Sequence, residues 1–254
     1  MSKHRPTTLA AKVLQATADL CDEIESLKFA DPVACVYNPL AYAWDMHASY
    51  VGQWGGTRRR VLLMGMNPGP WGMVQTGVPF GEIAAVRDFL KLSGVVGHPV
   101  PEHPKRPVQG LDCPRSEVSG RRLWGYFSEK FGTAEAFFAE HFVVNYCPLV
   151  FMEESARNRT PDKLPAAETA PLFAACDERL RQLVDLYEPQ WVVGVGGFAR
   201  KKLEGLFGAK AEQPEGAHRP ANIGTVLHPS PASPAANRGW APAAEKQLLA
   251  QGIW

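Results

Sequence analysis

Apolar and amphipathic segments alternate along most of the chain. Short apolar runs that stop at turn residues predict buried strands. They lie at residues 60–66, 190–197 and 224–228, and within residues 141–151, where Pro148 stops the strand. Longer runs with apolar residues on one face predict helices, and they lie at residues 9–27, 81–94, 119–132, 168–187, 198–208 and 242–252. This alternation predicts a largely parallel sheet that is covered by helices on both faces.

Three segments do not fit the alternation. Residues 31–51 mix turn prolines with aromatic side chains and are predicted to be irregular but packed. Residues 97–118 and 152–165 are predicted to be loops, and loops as long as the first tend to be functional or disordered.

Composition and charge fit a globular α/β protein. With 254 residues, 45% of them hydrophobic, the chain suits one large domain or at most two small ones. The net charge is +1, so no global excess of charge points to nucleic acid. Basic residues do cluster, for example at residues 58–60, 121–122 and 200–202, which fits solvated faces or a local basic groove.

Cysteine usage and the N-terminal sequence favour an intracellular protein. The five cysteines are far apart and form no CxxC pair, which argues against a zinc or iron–sulfur site. An odd count without a signal peptide suggests reduced thiols. The first residues lack the apolar core of a secretory signal, and no apolar run approaches the length of a membrane span.

The strongest candidate for a functional loop is GMNPGPWG, residues 65–72, directly after the first predicted strand. Glycine lets the backbone approach a ligand closely, while proline stiffens the turn and removes N–H donors. The motif fits an ordinary strand-to-helix turn, or a rigid loop whose N–H groups and Asn67 amide face a ligand. No Gly-Lys-Ser/Thr follows, so it is not a P-loop.

Two further polar side chains follow predicted strands. Asn145 offers one acceptor and two donors, which match an edge of a nucleobase, although a backbone-capping asparagine is the alternative. His228 precedes the proline-rich loop PSPASP and is either a positioned functional imidazole or a satisfied core histidine. Because ligands bind at the carboxyl ends of parallel strands, Asn67, Asn145 and His228 are expected to line one crevice.

Other catalytic patterns are weak or absent. The glycines of GVGGFA, residues 194–199, imitate a dinucleotide fingerprint, but no acidic residue ends the next strand. We therefore expect them to serve close strand–helix packing and not NAD binding. The sequence contains no GxSxG, and no pair of acids lies beside the motifs.

The motifs GMNPGPWGMVQTGVPFGE (65–82), VVNYCPLVFM (143–152) and HPSPASPAANRGW (228–240) occur in an order that identifies a family. Together with YNPLAYAWDMHASY (37–50), they closely resemble the single-strand-selective monofunctional uracil-DNA glycosylases of the uracil-DNA glycosylase superfamily. The resemblance covers roughly residues 30–245. It implies one domain, residues 1–254, with an N-terminal helix (residues 1–28) packed on a three-layer α/β/α sandwich around a mostly parallel four-stranded sheet.

The resemblance also implies an activity. The enzyme would flip uracil out of DNA and hydrolyse its N-glycosidic bond, leaving an abasic site, without a metal, a cofactor or a strand-cleaving lyase step. Related substrates would be 5-hydroxymethyluracil or other deaminated bases. The partners would be single- and double-stranded DNA, the protein would be a monomer, and its compartment would be the bacterial cytoplasm or the eukaryotic nucleus.

The family's functional residues carry over to matching positions. Asn67 would position the attacking water, and His228 would stabilise charge on the departing uracil. Phe80 would stack on the flipped base, and Asn145 would hydrogen-bond the uracil edge. Gly69 and Met73 would shape the pocket near C5 of the base, and Met66 is a further substrate-binding residue. The loop that enters the duplex would provide the DNA-binding residues Ser230, Pro231, Ala232, Ser233, Asn237 and Arg238.

Two positions depart from the vertebrate pattern. Ala232 stands where an arginine follows HPSP, which removes a cationic wedge, and Trp71 replaces a phenylalanine. The competing interpretation is a non-catalytic nucleic-acid-binding protein that retains the base pocket, although the presence of both Asn67 and His228 argues against it.

Overall fold

A computed structural model describes residues 7–254 of the protein. Its helices are α1 (Leu9–Glu25), α2 (Pro39–Tyr42), α3 (Trp44–Trp54), α4 (Met73–Thr76), α5 (Val118–Phe131), α6 (Ala134–Phe138), α7 (Ala166–Tyr187), α8 (Gly197–Phe207), α9 (Pro234–Asn237) and α10 (Trp240–Ala250). Its strands are β1 (Cys35–Tyr37), β2 (Val61–Gly65), β3 (His141–Asn145), β4 (Val150–Met152), β5 (Asn158–Arg159), β6 (Trp191–Val195) and β7 (Asn222–Val226). The predicted N-terminal helix corresponds to α1, and residues 1–6 lie outside the described residues.

The central sheet has four parallel strands in the order β3-β2-β6-β7, which confirms the predicted fold class. All residues of β2 and β3 are buried, as expected for a parallel sheet covered on both faces. Helix α8 packs against β6 and β7, α10 packs against β7, and α1 packs against α7. Since the strands are parallel, the ends of β2, β3 and β7 lie on the same edge of the sheet. None of the helices in residues 7–254 is both long and apolar enough to cross a bilayer.

The prediction of irregular structure for residues 31–51 is wrong. Helix α2 begins there because Pro39 occupies its first turn and the Asn38 side chain accepts a hydrogen bond from the Leu40 amide. Helix α3 follows, and its buried side chains recur at helical spacing, namely Met46, His47, Tyr50, Val51 and Trp54. The mixture of prolines and aromatic residues concealed these two helices.

A second sheet was also not predicted. Strands β1, β4 and β5 pair in that order, antiparallel, with Tyr37 opposite Val150. Residues 152–165 are therefore not wholly a loop, since they contain the end of β4 and all of β5. The small sheet carries Asn158 to the edge of the cavity described below.

The helix predicted over residues 81–94 is shorter than expected. Residues 85–89 form a π-helical turn in which the Leu90 amide bonds to the Ala85 carbonyl. The helical segment ends at Phe89, five residues before its predicted end near residue 94, and Lys91 then takes a positive φ of 54°.

Candidate active site

A cavity of about 620 Å³ opens at the carboxyl edge of the central sheet. Most of the residues predicted for the site line it together, namely Met66, Asn67, Gly69, Met73, Phe80, Asn145, His228, Ser230, Pro231, Ala232 and Ser233. They meet because β2 and β3 end in register, with Gly65 opposite Asn145, while β7 ends two residues before His228. Asn237 and Arg238 do not line the cavity.

Asn145 presents an unsatisfied amide to this cavity. The side chain is buried, with 7% of it exposed, and its Oδ1 has no hydrogen-bond partner among the described residues. Its Nδ2 lies 3.2 Å from the Met73 sulfur, which is only a weak acceptor. Leaving a buried polar atom unpaired costs about 1–3 kcal/mol, so this amide is suited to a ligand that carries one donor and one acceptor side by side.

Phe80 forms one wall of the cavity in an unusual backbone conformation. Its φ is +53°, a left-handed value that is strained for a bulky side chain and tends to occur at functional sites. The ring packs directly over Gly65, where a Cβ would lie 2.7 Å from two ring carbons and 2.5 Å from Asn145 Oδ1. Gly65 therefore keeps room for both side chains, a role that the sequence did not reveal.

The Asn67 amide is held in one orientation. Its Nδ2 donates to the Leu149 carbonyl over 3.2 Å, and this is the side chain's one hydrogen bond among residues 7–254. The Oδ1 is therefore left to accept from a molecule in the cavity. The Gln75 side chain braces the same loop, because its Nε2 donates to the carbonyls of Pro70 and Pro107.

His228 is fixed as a neutral imidazole with a defined tautomer. Its Nδ1 lies 3.0 Å from the backbone N–H of Ser230 and must accept that hydrogen bond, so the proton resides on Nε2. Burial lowers the pKa of His228 to about 4. Behind the ring, Gly196 takes a φ of +93°, and a Cβ there would lie 3.0 Å from His228 Cβ. The close strand–helix packing that we expected of the GVGG glycines is found at Gly194 instead, where a Cβ would meet the backbone of Ala199 and Arg200 in α8.

We expect His228 to stay uncharged through the neutral range. A folded-state pKa of about 4, below the ordinary 6.5, means that the imidazole gains its proton only as the pH falls towards 4. Long-range ¹H–¹⁵N NMR at pH 7 should report the Nε2–H tautomer, and a pH titration should give a midpoint near 4. A midpoint near 6.5 would contradict the buried, hydrogen-bonded arrangement.

Glu117 is the one carboxyl group among the cavity-lining residues, and the sequence did not reveal it. Its side chain lies against the α-carbons of Gly69 and Gly72, and it accepts hydrogen bonds from the Ser119 and Trp71 amides. Burial raises the pKa of this carboxyl. No sequence pattern identified it because Glu117 comes from the long loop before α5, far from Gly69 in the chain.

The rim of the cavity carries positive charge on both sides. The guanidinium groups of Arg106 and Arg115 each lie 4.8 Å from the centre of the Trp71 ring. On the other side, Arg122 donates to the carbonyls of Pro229 and Ser230. These arginines give a protein with a net charge of only +1 a local basic surface beside Trp71 and Ser230, two residues that line the cavity.

Asn237 lies outside the cavity, beside the loop that follows His228. Its Oδ1 accepts from Arg122 over 2.9 Å, and its Nδ2 donates to the Pro231 carbonyl over 2.8 Å. The side chain therefore braces the loop after His228 from outside the cavity. Arg238 is exposed at the end of α9.

Comparisons with known proteins match this chain to one superfamily. The model of the uracil DNA glycosylase superfamily matches residues 53–249. A Bos taurus protein named single-strand selective monofunctional uracil DNA glycosylase is 46% identical over 248 residues, covering 98% of this chain and 89% of its own. The Rattus norvegicus protein of the same name is also 46% identical, covering 97% and 86%. A crystal structure of SMUG2 from Pedobacter heparinus shares the fold, with a TM-score of 0.67 at 19% identity over 98% of both chains.

Proposed function

We propose the activity of this protein from one premise: the chain belongs to the uracil DNA glycosylase superfamily and, within it, to the single-strand selective monofunctional uracil-DNA glycosylases. It excises uracil from DNA by hydrolysing the N-glycosidic bond and leaves an abasic site, which starts base excision repair. The observation that supports this most strongly is that Asn67, Asn145 and His228 face one cavity, each with a fixed or unsatisfied polar atom.

The Asn145 amide selects uracil by its hydrogen-bonding edge. Its unpaired Oδ1 accepts from uracil N3–H, while its Nδ2 donates to O4. Cytosine presents the reverse pattern and would leave buried groups unpaired, at about 1–3 kcal/mol each. Phe80 stacks on the extruded base. The stacking free energy, typically ~1–3 kcal/mol per base, offsets part of the free energy needed to flip the base out of the stack. Met66 and Met73 complete the walls of the pocket.

Gly65 is needed for this pocket to exist. Gly65→Ala would push the Asn145 amide or the Phe80 ring out of place, since the new methyl group meets both. Overpacking of this kind costs ~1–3 kcal/mol, so we expect uracil release to fall about tenfold or more. The matched control is Gly125→Ala, because nothing lies within 4 Å of a Cβ at that helical position. Equal activity of the two variants in single-turnover assays would show that Gly65 does not set the pocket.

The chemical step is hydrolysis with a stabilised leaving group. Asn67 is neutral and cannot be a strong base, so it orients a water through its free Oδ1. The C1′–N1 bond breaks with its electron pair passing to uracil, and the water oxygen then bonds to the positively charged C1′. The proton that the water loses at this point ends on the departing uracil. His228 donates its Nε2–H to the uracil oxygen on which negative charge develops. A donor fixed in this way contributes ~2.7–4 kcal/mol in comparable sites.

The Gly69 side of the pocket accommodates substituents at C5 of the base. Because the Glu117 carboxylate lies against Gly69, a 5-hydroxymethyl group would meet an acceptor for its O–H, whereas the methyl group of thymine offers no donor. This arrangement favours uracil and 5-hydroxymethyluracil over thymine.

The basic rim and the loop after His228 hold the DNA. Ser230, Pro231 and Ser233 offer polar groups and a stiff backbone to the strand, and Arg238 adds an exposed charge. Ala232 is too short to replace a flipped base, which favours single-stranded or mispaired DNA. We further propose that the enzyme acts as a monomer within the cell, because one chain supplies every residue of the cavity.

A panel of oligonucleotides tests the proposed activity and its alternative, a non-catalytic binder. Uracil, 5-hydroxymethyluracil, thymine, xanthine and hypoxanthine would each be placed in single-stranded and double-stranded DNA. We expect release of free uracil and 5-hydroxymethyluracil, no release of thymine, and intact strands until alkali is added. Binding of uracil-containing DNA without release of any base would establish the non-catalytic binder instead.

A further inference from the structure

We propose that Arg179, a buried guanidinium behind the base cavity, positions Asn145 and supplies the positive charge that stabilises the departing uracil anion from the O4 side. The inference rests on the proposed glycosylase function. It adds to that function a residue which does not line the cavity and which no motif identified.

Arg179 is tied directly to the residue that reads the base. Helix α7 carries it, and its side chain is only 7% exposed. One terminal nitrogen donates to the main-chain carbonyl of Asn145 over 3.3 Å, and the other donates to Thr17 Oγ1 over 3.3 Å. The Nε has no partner among the described residues. A displacement of this guanidinium would therefore move the end of β3 on which Asn145 lies.

No negative charge compensates Arg179. It forms no ion pair within residues 7–254, and the neighbouring acids of α7 pair elsewhere, Asp177 with Lys202 and Glu178 with Arg181. The ionisable groups near the guanidinium include two thiols and a phenol, those of Cys21, Cys176 and Tyr187. Burial raises the pKa of the Cys21 and Tyr187 groups, and a hydrogen bond with Cys147 together with burial raises that of Cys176, so all three are neutral at pH 7.

Burying a cation without a counter-ion costs free energy, so the place where the fold keeps such a cation points to a role for its charge. Arg179 and Asn145 line a small internal cavity of about 10 Å³ together with Met73 and His47. The lining contains no carboxylate. Charges that face each other across such a poorly hydrated region interact more strongly than in water. The field of Arg179 thus reaches the O4 side of the base, opposite the imidazole of His228.

The leaving group itself distinguishes electrostatic stabilisation from structural support. A fluorine at C5 lowers the pKa of uracil N1–H, so 5-fluorouracil leaves with less need for stabilisation. Loss of a charge that stabilises the anion should therefore slow uracil release more than 5-fluorouracil release. A misplaced Asn145 would slow both reactions whether or not the charge at residue 179 is kept, so the comparison of a neutral residue with lysine at this position separates the two effects.

The test is the single-turnover release of uracil and of 5-fluorouracil from single-stranded oligonucleotides. For Arg179→Met we expect uracil release to fall roughly tenfold to 100-fold, with the loss for 5-fluorouracil at least about threefold smaller. Arg179→Lys keeps the charge and should preserve the wild-type ratio of the two rates, even where both rates fall. If Arg179→Met does not fold, as judged by circular dichroism, Arg179→Gln replaces it in the comparison with Arg179→Lys.

Arg59 provides the matched control. It is also buried, at 8% exposure, also lacks an ion pair among residues 7–254, and donates to the Trp54 carbonyl. It precedes β2, about 20 Å from Gly65 at ~3.3 Å per residue. Arg59→Met should leave the ratio of the two rates unchanged. Equal slowing of both substrates by Arg179→Met, or no slowing, would overturn the inference while the wild-type activity upholds the proposed function. A wild-type protein that releases neither base would overturn both.

Discussion

Replacing His228 by alanine is expected to lower the single-turnover rate of uracil release about 100- to 1,000-fold. The bond from the Ser230 amide to Nδ1 places the only ring proton on Nε2, so the imidazole is a donor fixed before the reaction begins. Alanine removes this donor at the point where negative charge develops, while Phe80 and Asn145 still hold the base. Binding of uracil-containing DNA should therefore fall much less than the rate.

A matched histidine controls for general effects of the substitution. His218 is half-buried beside Pro189, where its Nε2 contacts the Pro189 carbonyl, and it does not line the cavity. His218→Ala should excise uracil at the wild-type rate. If His228→Ala retained normal single-turnover chemistry, the imidazole would have no part in stabilising the leaving group.

The second large effect is expected for Asn67→Ala. With the Leu149 bond holding Nδ2, the free Oδ1 is the atom that orients the hydrolytic water. Misplacing a reactant by about 1 Å can cost ~100-fold in rate, so the chemical step should slow by about that factor or more. Pre-steady-state kinetics with a uracil oligonucleotide would separate this loss from any change in binding.

Asn222 gives the corresponding asparagine control, because it is exposed at the start of β7, at the opposite end of the strand from His228. Asn222→Ala should leave excision unchanged. Near-normal cleavage by Asn67→Ala would remove the amide from the mechanism and shift attention to Glu117, the carboxyl group that lines the cavity.

The sequence predicted the central sheet well because its strands are continuous apolar runs. Val61–Gly65 and His141–Asn145 are buried along their whole length, a pattern that parallel strands alone readily explain. The small antiparallel sheet was missed, since its strands are only two or three residues long and carry no periodic signal. The early end of the helix after residue 81 depends on a π-turn and on the positive φ of Lys91, which the apolar pattern does not encode.

The site was predictable where a motif carries the functional side chain. Asn67, Asn145 and His228 each follow a strand, so the parallel sheet brings them together. Glu117 and Arg179 were not predictable, because one reaches the cavity from a long loop and the other reaches Asn145 from a helix across the sheet. Their roles depend on tertiary contacts between residues far apart in the chain.

The central claim is that Asn67, Asn145 and His228 surround one extruded base. The sharpest test of it is a crystal structure of Asn67→Ala with a single-stranded oligonucleotide that contains one uracil. We expect an extruded uracil stacked on Phe80. Its O4 and N3 should lie about 3 Å from the Asn145 amide, and a pyrimidine oxygen should lie about 3 Å from His228 Nε2. A base bound outside this cavity, or one that turns its glycosidic bond away from residue 67, would rule out the proposed mechanism.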